Sequence, residues 1–540
     1  CPLLNLSFCP ASESINNFNG SLVVLAYNAL GWSRTEYIRI PVNSKFVQVT
    51  DSAGVAVPAQ LLPVSSITKE LRRKYVQGYL GISSGAAPAY WLTFPATIPA
   101  LGYRTYTVST SEKKGYTSAS TSEVLPQKTA VTVGPSSLKM DFSENGLLSA
   151  IIDTDTGTNV SMQASYFYYE GHTGSDGQGV DGAYLFRPTA NSASFFNTFA
   201  NVTIVTGPLV HEVWQEFAPW IYQVNRLYKG KDYAELEYVI GAIPIEDDVG
   251  KDVIIRFTSS VGSDTSFYTD SNGRDFIKRI RDYRTDWKLE VNEPVAGNYY
   301  PVNLGMYLTD SKNEFSLLVD RAVGGASLKN GELELMLHRR LVYDDNRGVG
   351  EPLNEMVCVG SSCEGLTVQG KLFLHVNPSG KGSRWRRSVG QQVYSPLQLA
   401  FTTLGHNESW LKTGFPSFSG MSNNYNLPEN VALITLQELD DGHTLLRLAH
   451  LYELNEDEEL SSKAYVDLKK VFPNRQVQSI EETSLSANQK KSEMKAPLKW
   501  KVEGTGEMQQ AAQRGGPIDQ KDLIVELAPM EIRTFLLSFR

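Results

Sequence analysis

Short apolar segments that alternate with polar positions recur along the whole chain. They are rich in Val, Ile, Tyr, Phe and Thr and end at Gly, Pro, Asn or Asp, as in Leu22–Tyr27, Tyr37–Val42 and Lys371–Val376. Period-two alternation is typical of half-buried antiparallel strands, and helical periodicity over more than about 12 residues is scarce. The pattern predicts an all-β fold made of several antiparallel β-sandwiches.

Breaks in the pattern divide the chain into regions. The 540 residues exceed what one hydrophobic core supports, which is roughly 250–300 residues. We predict a β-sandwich domain at 1–112, a polar linker or exposed loop at 113–127, one large β super-sandwich at 128–405 and a small carboxyl-terminal sandwich at 406–540. Within the last region, the Lys- and Gln-rich stretch Ser484–Arg514 is predicted to be a mobile loop.

The composition is that of a folded globular protein, with 41% hydrophobic and 20% charged residues. No apolar run reaches the roughly 18 residues that a membrane-spanning helix needs. A net charge of −9 argues against nucleic acid or an anionic membrane as a partner. The basic clusters Lys69–Lys74 and Arg384–Arg387 are interpreted as solvated loops or a processing site.

Cysteines and glycosylation sequons indicate an oxidising compartment. The four cysteines form two close pairs, Cys1 with Cys9 and Cys358 with Cys363. Of the three possible connectivities, local pairing is favoured, because the small residues between Cys358 and Cys363 suit a short disulfide loop. A zinc site would need ligand spacings that are absent. Five sequons occur, at Asn5, Asn19, Asn159, Asn201 and Asn407. Structural disulfides and N-glycans together predict a protein of the secretory pathway.

No self-sufficient active site is visible in the sequence. Residues Gly177–Gly182 spell G-x-G-x-x-G, but a strand, Ala183–Phe186, is predicted after them where a dinucleotide site needs a helix. The seven histidines form no metal-binding pair, and no nucleophile elbow is present. Because the chain begins at Cys1, without Met or a signal region, we interpret it as an internal piece of a precursor.

Polar residues are unusually dense in a few strand-like segments. The strand Leu333–Leu341 leads into Asp344–Gly348, a segment whose charges either pair with one another or face a ligand. The segments Asp270–Arg274 and Asn298–Pro301 combine aromatic, amide and hydroxyl groups. Such groups suit sugar faces and sugar hydroxyls, although aromatic core positions explain them equally well.

These segments carry a resemblance to a known family. The chain resembles glycoside hydrolase family 38, in particular its lysosomal and plant vacuolar α-mannosidases, over essentially its whole length. The order of the matching blocks corresponds to the carboxyl-terminal β-rich part of those enzymes. The blocks are Asp181–Pro188, Phe267–Arg274, Pro294–Val302 and Glu334–Leu341 continued by Asp344–Gly348.

The resemblance implies a retaining, zinc-dependent acid α-mannosidase that hydrolyses terminal α-D-mannose residues of N-glycans. In the family, the zinc ligands, the nucleophile and the acid/base lie in an amino-terminal α/β part that precedes Cys1. It therefore implies no catalytic or metal-binding residue in this chain, and zinc held by a partner chain of the same precursor. By motif match, Tyr184 and one of Arg339 and Arg340 contact the bound mannose.

Two further expectations follow from the resemblance. The two-chain unit would work in the vacuole, the lysosome or outside the cell, and could form a higher oligomer. The alternative, which the lack of acid/base machinery favours, is a stand-alone carbohydrate-binding β-sandwich protein of the lectin kind.

Overall fold

The computed structural model describes most of the chain. It describes residues 1–540 except 2, 18–20, 111–118, 127–128, 176, 178, 405–409, 411–413 and 496–512, and only the backbone of 16 and 17. Among these residues, no helix combines the length and apolar character needed to cross a membrane. The helices are α1 (Pro10–Glu13), α2 (Ser66–Leu80), α3 (Ser383–Tyr394) and α4 (Leu468–Val471), with 3-10 turns at Leu4–Leu6, Ser14–Asn17, Ala296–Asn298 and Lys491–Glu493.

The first region is a sandwich of short antiparallel strands. Alternate residues of its strands, such as Leu22, Val24 and Ala26, are fully buried and pack against Ile38 and Ile40 of the facing sheet. The apolar alternation thus forms one core. The strands are β1 (Ser21–Asn28), β2 (Arg34–Val42), β3 (Val47–Thr50), β4 (Ala56–Val57), β5 (Gln60–Pro63), β6 (Tyr90–Ile98), β7 (Gly102–Thr110) and β8 (Ser120–Thr121).

The central region contains a large sandwich of two sheets, one of nine and one of ten described strands, and a separate two-stranded sheet between Met356 and Gly365. Its strands are β9 (Glu123–Pro126), β10 (Val131–Val133), β11 (Leu138–Phe142), β12 (Leu148–Asp153), β13 (Thr158–Glu170), β14 (Ser194–Phe195), β15 (Asn201–Thr206), β16 (Val210–Ala218), β17 (Ile221–Tyr228), β18 (Ala234–Ile240), β19 (Lys251–Ser259), β20 (Ser266–Ser271), β21 (Asp275–Ile280), β22 (Tyr300–Val302), β23 (Gly305–Thr309), β24 (Asn313–Val319), β25 (Val323–Ala326), β26 (Glu332–Arg340), β27 (Met356–Val359), β28 (Ser362–Gly365) and β29 (Val368–Pro378). The nine-stranded sheet runs β10-β11-β12-β13-β19-β26-β25-β22, with β14 beside β13. The ten-stranded sheet runs β21-β20-β23-β24-β29-β18-β17-β16-β15-β9.

A smaller sandwich of one four-stranded and one two-stranded sheet follows. Its core contains Leu446, Val466 and Phe535, none of which is exposed. The remaining strands are β30 (Gln398–Leu404), β31 (Ser417–Ser419), β32 (Val431–Glu438), β33 (Thr444–His450), β34 (Ala464–Asp467), β35 (Val477–Thr483), β36 (Ile524–Leu527) and β37 (Ile532–Phe539). The predicted all-β fold class, with several antiparallel sheets, is confirmed.

Some strands lie in a different sheet from the one their position in the chain suggests. β30 and β31 pair with β1 and β7 of the first sandwich. β9, inside the segment predicted as a linker, pairs with β15 at the edge of the ten-stranded sheet. The polar composition of this segment did not indicate a strand, because an edge strand can be exposed on both faces. The domain limits themselves stay a prediction, and residues 113–118, 127 and 405–406 lie outside the described part.

Both basic clusters that we predicted to be solvated loops are helical instead. In α2, the Arg72 guanidinium is buried and donates to both carboxylate oxygens of Glu13, at 2.9 and 2.8 Å. In α3, Arg386 is buried against Glu314 and Arg387 pairs with Glu456 at 2.8 Å. The prediction was wrong because the carboxylates that neutralise these arginines are distant in sequence.

The cysteines and sequons fall where covalent modification is feasible. The disulfides are Cys1–Cys9 and Cys358–Cys363, as the local pairing predicts. Asn5, Asn159 and Asn201 are exposed. Asn19 and Asn407 lie outside the described residues, as does most of the predicted mobile loop Ser484–Arg514, and glycosylation at all five positions stays a prediction.

A buried ion cluster lies where the first sandwich faces the large one. Arg226 on β17 donates to Glu212 at 2.5 Å, to Glu235 at 2.9 Å and to Glu237 at 2.5 Å. Burial alone would raise the pKa of Glu237, but Arg226 and then Lys371 offset it and lower this pKa to about 2. Glu237 therefore stays ionised in a mildly acidic compartment.

Candidate functional site

The segment with the strongest family resemblance forms an anchored loop, residues 181–188, which we call the Tyr184 loop. The Asp345 carboxylate accepts the backbone N–H groups of Tyr184 at 2.6 Å and Leu185 at 3.0 Å. A Cβ on Gly182 would lie 2.5 Å from the Cβ of Asp345, so glycine permits this close approach. The strand predicted at Ala183–Phe186 is absent because these N–H groups bond to a carboxylate instead of a neighbouring strand.

An aromatic floor supports the loop from below. The Phe186 ring contacts the rings of Tyr169 and Tyr299 edge to face, with centroids 5.5 and 4.9 Å apart. Both phenols donate to Glu334, at 2.9 and 2.6 Å. Glu334 also pairs with Arg256 at 2.6 Å. Buried polar groups that are all hydrogen-bonded rigidify their surroundings, so these aromatic residues hold the Tyr184 loop in a fixed position.

Arg339 on β26 anchors the start of the loop. Its Nη2 donates to the Asp181 carboxylate and to the Leu185 carbonyl, both at 2.9 Å, and its Nε donates to Asp252. Asp252 stands directly opposite Arg339 in the β19–β26 ladder. Asp181 also accepts the backbone N–H of Arg187 at 2.7 Å. One guanidinium thus joins two carboxylates and a loop carbonyl.

Burial and the neighbouring Asp252 raise the pKa of Asp181 to about 9, although Arg339 and the Arg187 N–H oppose the shift. Asp181 and Asp252 are 2% and 0% exposed, respectively. Desolvation disfavours the charged form of a carboxyl, and a like charge nearby adds to the effect. Both effects favour the protonated form of the Asp181 carboxyl.

Arg340 faces the other way, since successive side chains of a strand alternate between its faces. Its Nε donates to Asn354 and its Nη1 to the Ile243 carbonyl, both at 2.7 Å. Of the two arginines that the sequence left open, Arg339 is the one beside the Tyr184 loop. The substrate-binding role of Tyr184, Arg339 and Arg340 stays a prediction.

The Tyr184 side chain itself is presented outward. It is 64% exposed, whereas the backbone beneath it is tied to Asp345. A phenol can donate to or accept from a sugar hydroxyl, and its ring can cover a sugar face. The loop therefore holds one exposed tyrosine on a rigid base.

The structure brings together three of the four resembling blocks. Segments 181–188, 294–302 and 334–348 meet at the Tyr184 loop through the contacts described above. Sequence reasoning missed Asp252 and Tyr169, because a strand pattern gives no information on which strands become neighbours. An ionisable residue at the start of the buried strand β19 was the only available signal for Asp252.

The fourth block, 267–274, has a structural role elsewhere. The buried Asp270 carboxylate accepts the N–H groups of four residues at 2.7 to 3.0 Å, namely Gly273, Asn303, Leu304 and Gly305. Arg274 donates to the His450 carbonyl of the last sandwich at 2.8 Å. This segment therefore folds a turn and joins two sandwiches.

We expect Asp270→Ala to destabilise the large sandwich by about 3 kcal/mol or more, because buried N–H groups left without an acceptor cost roughly 1–3 kcal/mol each. Asp270→Asn keeps one side-chain oxygen and should cost less. Thermal unfolding followed by circular dichroism compares the two. Equal melting temperatures for Asp270→Ala and the wild type would contradict the role.

The described residues do not fit a zinc ion. They bring no three His, Cys, Asp or Glu side chains together in a geometry that could hold a metal. At the Tyr184 loop, the Arg339 guanidinium already supplies a positive charge to Asp181 and Asp252. We therefore derive no metal chemistry from this chain.

The fold recurs in solved structures of bacterial proteins. A crystal structure of an α-mannosidase from Enterococcus faecalis matches 96% of this chain and 56% of its own, with a TM-score of 0.59 and 12% identity. A second structure from that organism, described as a protein in glycosyl hydrolase family 38, matches with a TM-score of 0.56, also at 12% identity, over 97% of this chain and 59% of its own. This likeness defines the class of the fold, a multi-sandwich β region.

Sequence profiles and relatives narrow that class to a family. Residues 133–347 match the glycosyl hydrolases family 38 C-terminal domain, 57–108 the lysosomal alpha-mannosidase-like central domain and 430–535 the family 38 C-terminal beta sandwich domain. An alpha-mannosidase of Canavalia ensiformis is 52% identical over 100% of this chain and 55% of its own length. The lysosomal alpha-mannosidase of Homo sapiens is 34% identical over 100% of this chain and 50% of its own. The chain belongs to glycoside hydrolase family 38, as its carboxyl-terminal region, and spans about half the length of these relatives.

Proposed function

We propose that this chain is the β-rich subunit of a retaining, zinc-dependent acid α-mannosidase that removes terminal α-D-mannose from N-glycans. The zinc ligands, nucleophile and acid/base would lie on an amino-terminal α/β chain of the same precursor. The observation that carries the proposal is the Tyr184 loop, whose backbone is fixed by Asp345 and Arg339 and which presents one exposed tyrosine. The relatives named above, alpha-mannosidases of plants and lysosomes, support the substrate class.

The role of the chain would be to complete the wall of the sugar pocket. In a retaining glycosidase, the two carboxylates stand about 5–5.5 Å apart, so the pocket is narrow and its far wall contacts the sugar. A positioned phenol favours the right sugar because a wrong one leaves a polar group unpaired. Two disulfides and exposed sequons support a vacuolar, lysosomal or extracellular site of action.

The division of labour is tested by producing the chain alone and together with the amino-terminal part of its precursor. We expect hydrolysis of an aryl α-mannoside only from the assembled protein, with activity lost on zinc chelation and restored by zinc. Robust turnover by the chain alone would contradict the proposal. A chain that elutes alone on a sizing column and retains mannose-dependent binding would support the lectin alternative.

In the assembled enzyme, Tyr184→Phe should lower kcat/KM for an aryl α-mannoside about three- to tenfold, because one hydrogen bond of about 0.5–1.5 kcal/mol is lost. The melting temperature should not change, since no described hydrogen bond involves the phenol. Tyr343→Phe, at another half-exposed tyrosine, serves as the control. Equal kinetics for wild type and Tyr184→Phe would exclude the assigned contact.

A further inference from the structure

Two buried carboxylates beneath the Tyr184 loop have an unmatched charge. Asp181 and Asp252 share one guanidinium, that of Arg339, which leaves an excess negative charge if both are ionised. Their Oδ1 atoms accept hydrogen bonds, whereas both Oδ2 atoms are buried and receive no donor from the described residues. An ionised carboxylate oxygen without a partner is costly in such a place.

The charged groups on the surrounding elements are engaged elsewhere. Lys251, next to Asp252 on β19, donates to Asp247 at 2.8 Å, and Arg187 of the loop pairs with Glu293 at 3.1 Å. Arg340 lies on the opposite face of β26. In the segment after β26, the Asp345 carboxylate accepts three backbone N–H groups, those of Tyr184, Leu185 and Arg347.

Titratable groups also lie at the end of β13 and just after it, and of these Glu170 is exposed. The Tyr169 phenol donates to Glu334 at 2.9 Å, and His172 Nδ1 accepts the Gly174 N–H at 3.0 Å. In the described part of the chain, Arg339 is therefore the only cation that forms an ion pair with the two aspartates. With the described cations engaged in this way, a proton can balance the charge of the pair.

We propose that Asp181 and Asp252 share one proton between their Oδ2 atoms, and that this protonated pair positions Arg339 and, through the Leu185 carbonyl, the Tyr184 loop. The Asp181 and Asp252 carboxyls lie within hydrogen-bonding reach of each other, so one proton between them satisfies both orphan oxygens and makes the set of two carboxyls and one guanidinium neutral. The role of the pair in positioning a sugar contact rests on the proposed function. The shared proton itself does not depend on that function.

Asparagine tests the shared proton because its amide N–H replaces the O–H of a protonated carboxyl. In the full-length protein, Asp181→Asn should keep KM for an aryl α-mannoside within about twofold of the wild type. Asp181→Ala, which removes the contact to Arg339, should raise KM or lower kcat at least about tenfold. The double change Asp181→Asn with Asp252→Asn leaves Arg339 without a carboxylate and should behave like Asp181→Ala.

Infrared difference spectroscopy reads the proton without an activity assay. At pH 7, the wild type should show the carbonyl band of a protonated carboxylic acid that is missing from Asp181→Asn. The melting temperature of the wild type should fall relative to that of Asp181→Asn as the pH rises from 5 to 9. Identical infrared spectra, or an Asp181→Asn variant that is less stable by the same margin at every pH, would overturn the shared proton.

The two proposals fail in different ways. If the chain is not a mannosidase subunit, the infrared band and the pH-dependent difference in melting temperature remain, while no variant affects mannoside hydrolysis. If the proton is not shared, the band is absent, while Tyr184→Phe still lowers turnover.

Discussion

Replacing Arg339 by Met should destabilise the large sandwich by about 3–5 kcal/mol at neutral pH, because a buried ion pair that loses one partner leaves an uncompensated charge. Here, two carboxylates, Asp181 and Asp252, lose their common counter-ion. The loss should shrink at acidic pH, where both carboxyls can be protonated. Thermal unfolding between pH 4 and pH 8 measures this dependence.

Arg340→Met is the matched control on the same strand. Arg340 donates to two neutral groups, the Asn354 amide oxygen and the Ile243 carbonyl. Its removal leaves no buried charge, so any loss of stability should be the same at pH 4 and pH 8. If both variants showed the same pH dependence, the assignment of Arg339 to the carboxylate pair would be wrong. In the assembled enzyme, only Arg339→Met should lower mannoside hydrolysis.

Arg226→Met should have an effect of similar size, about 3–5 kcal/mol at neutral pH. The substitution removes the cation that Glu212, Glu235 and Glu237 share. Hydrogen exchange of the strands β16 to β18 is the suitable measurement, because it reports the stability of this part of the large sandwich separately.

The stability of the strands around Arg226 should change with pH in opposite directions in the wild type and in Arg226→Met. In the wild type, the low pKa of Glu237, about 2, gives stability that is present above roughly pH 4.5 and is lost as the pH falls toward 2. In Arg226→Met, the buried glutamates favour protonation, so stability should increase as the pH falls. Arg321→Met is the control, because its ion pair with Asp320 is half-exposed and contributes little.

The carboxyl of Asp181 also makes the stability of the folded protein depend on pH. The pKa of the Asp181 carboxyl is raised in the folded protein. The stabilising effect of this carboxyl is therefore complete below about pH 4 and is lost as the pH rises toward about 9. The Tyr184 loop should therefore be held most firmly in acid. An acid compartment is the place of action proposed for the assembled enzyme.

The strands were the predictable part of this fold. Leu22–Tyr27, Tyr37–Val42 and Lys371–Val376 lie inside β1, β2 and β29, respectively. Their alternating apolar residues face a core, and that local signal needs no knowledge of a partner. The class of fold followed from the same signal, since few segments had helical periodicity.

The helices and the site depended on distant partners. Arg72 is buried in α2 because Glu13 neutralises it, and the sequence pattern gives no sign of that pair. In the same way, the Tyr184 loop owes its shape to Asp345, more than 150 residues further along the chain. The resemblance to a family pointed to Tyr184 and to one of Arg339 and Arg340, whereas Asp252 emerged only when β19 and β26 became neighbours.

The pairing of β30 with β1 has a consequence for how the chain is made. About 370 residues separate the two strands, so the first sheet stays incomplete until the large sandwich has been synthesised. At roughly 5–20 residues per second, translation leaves that edge of β1 open for about 20–75 s. An open strand edge is a template for aggregation. Protection of the nascent amino-terminal strands during synthesis, more than the stability of the finished protein, would then set the yield of the folded chain.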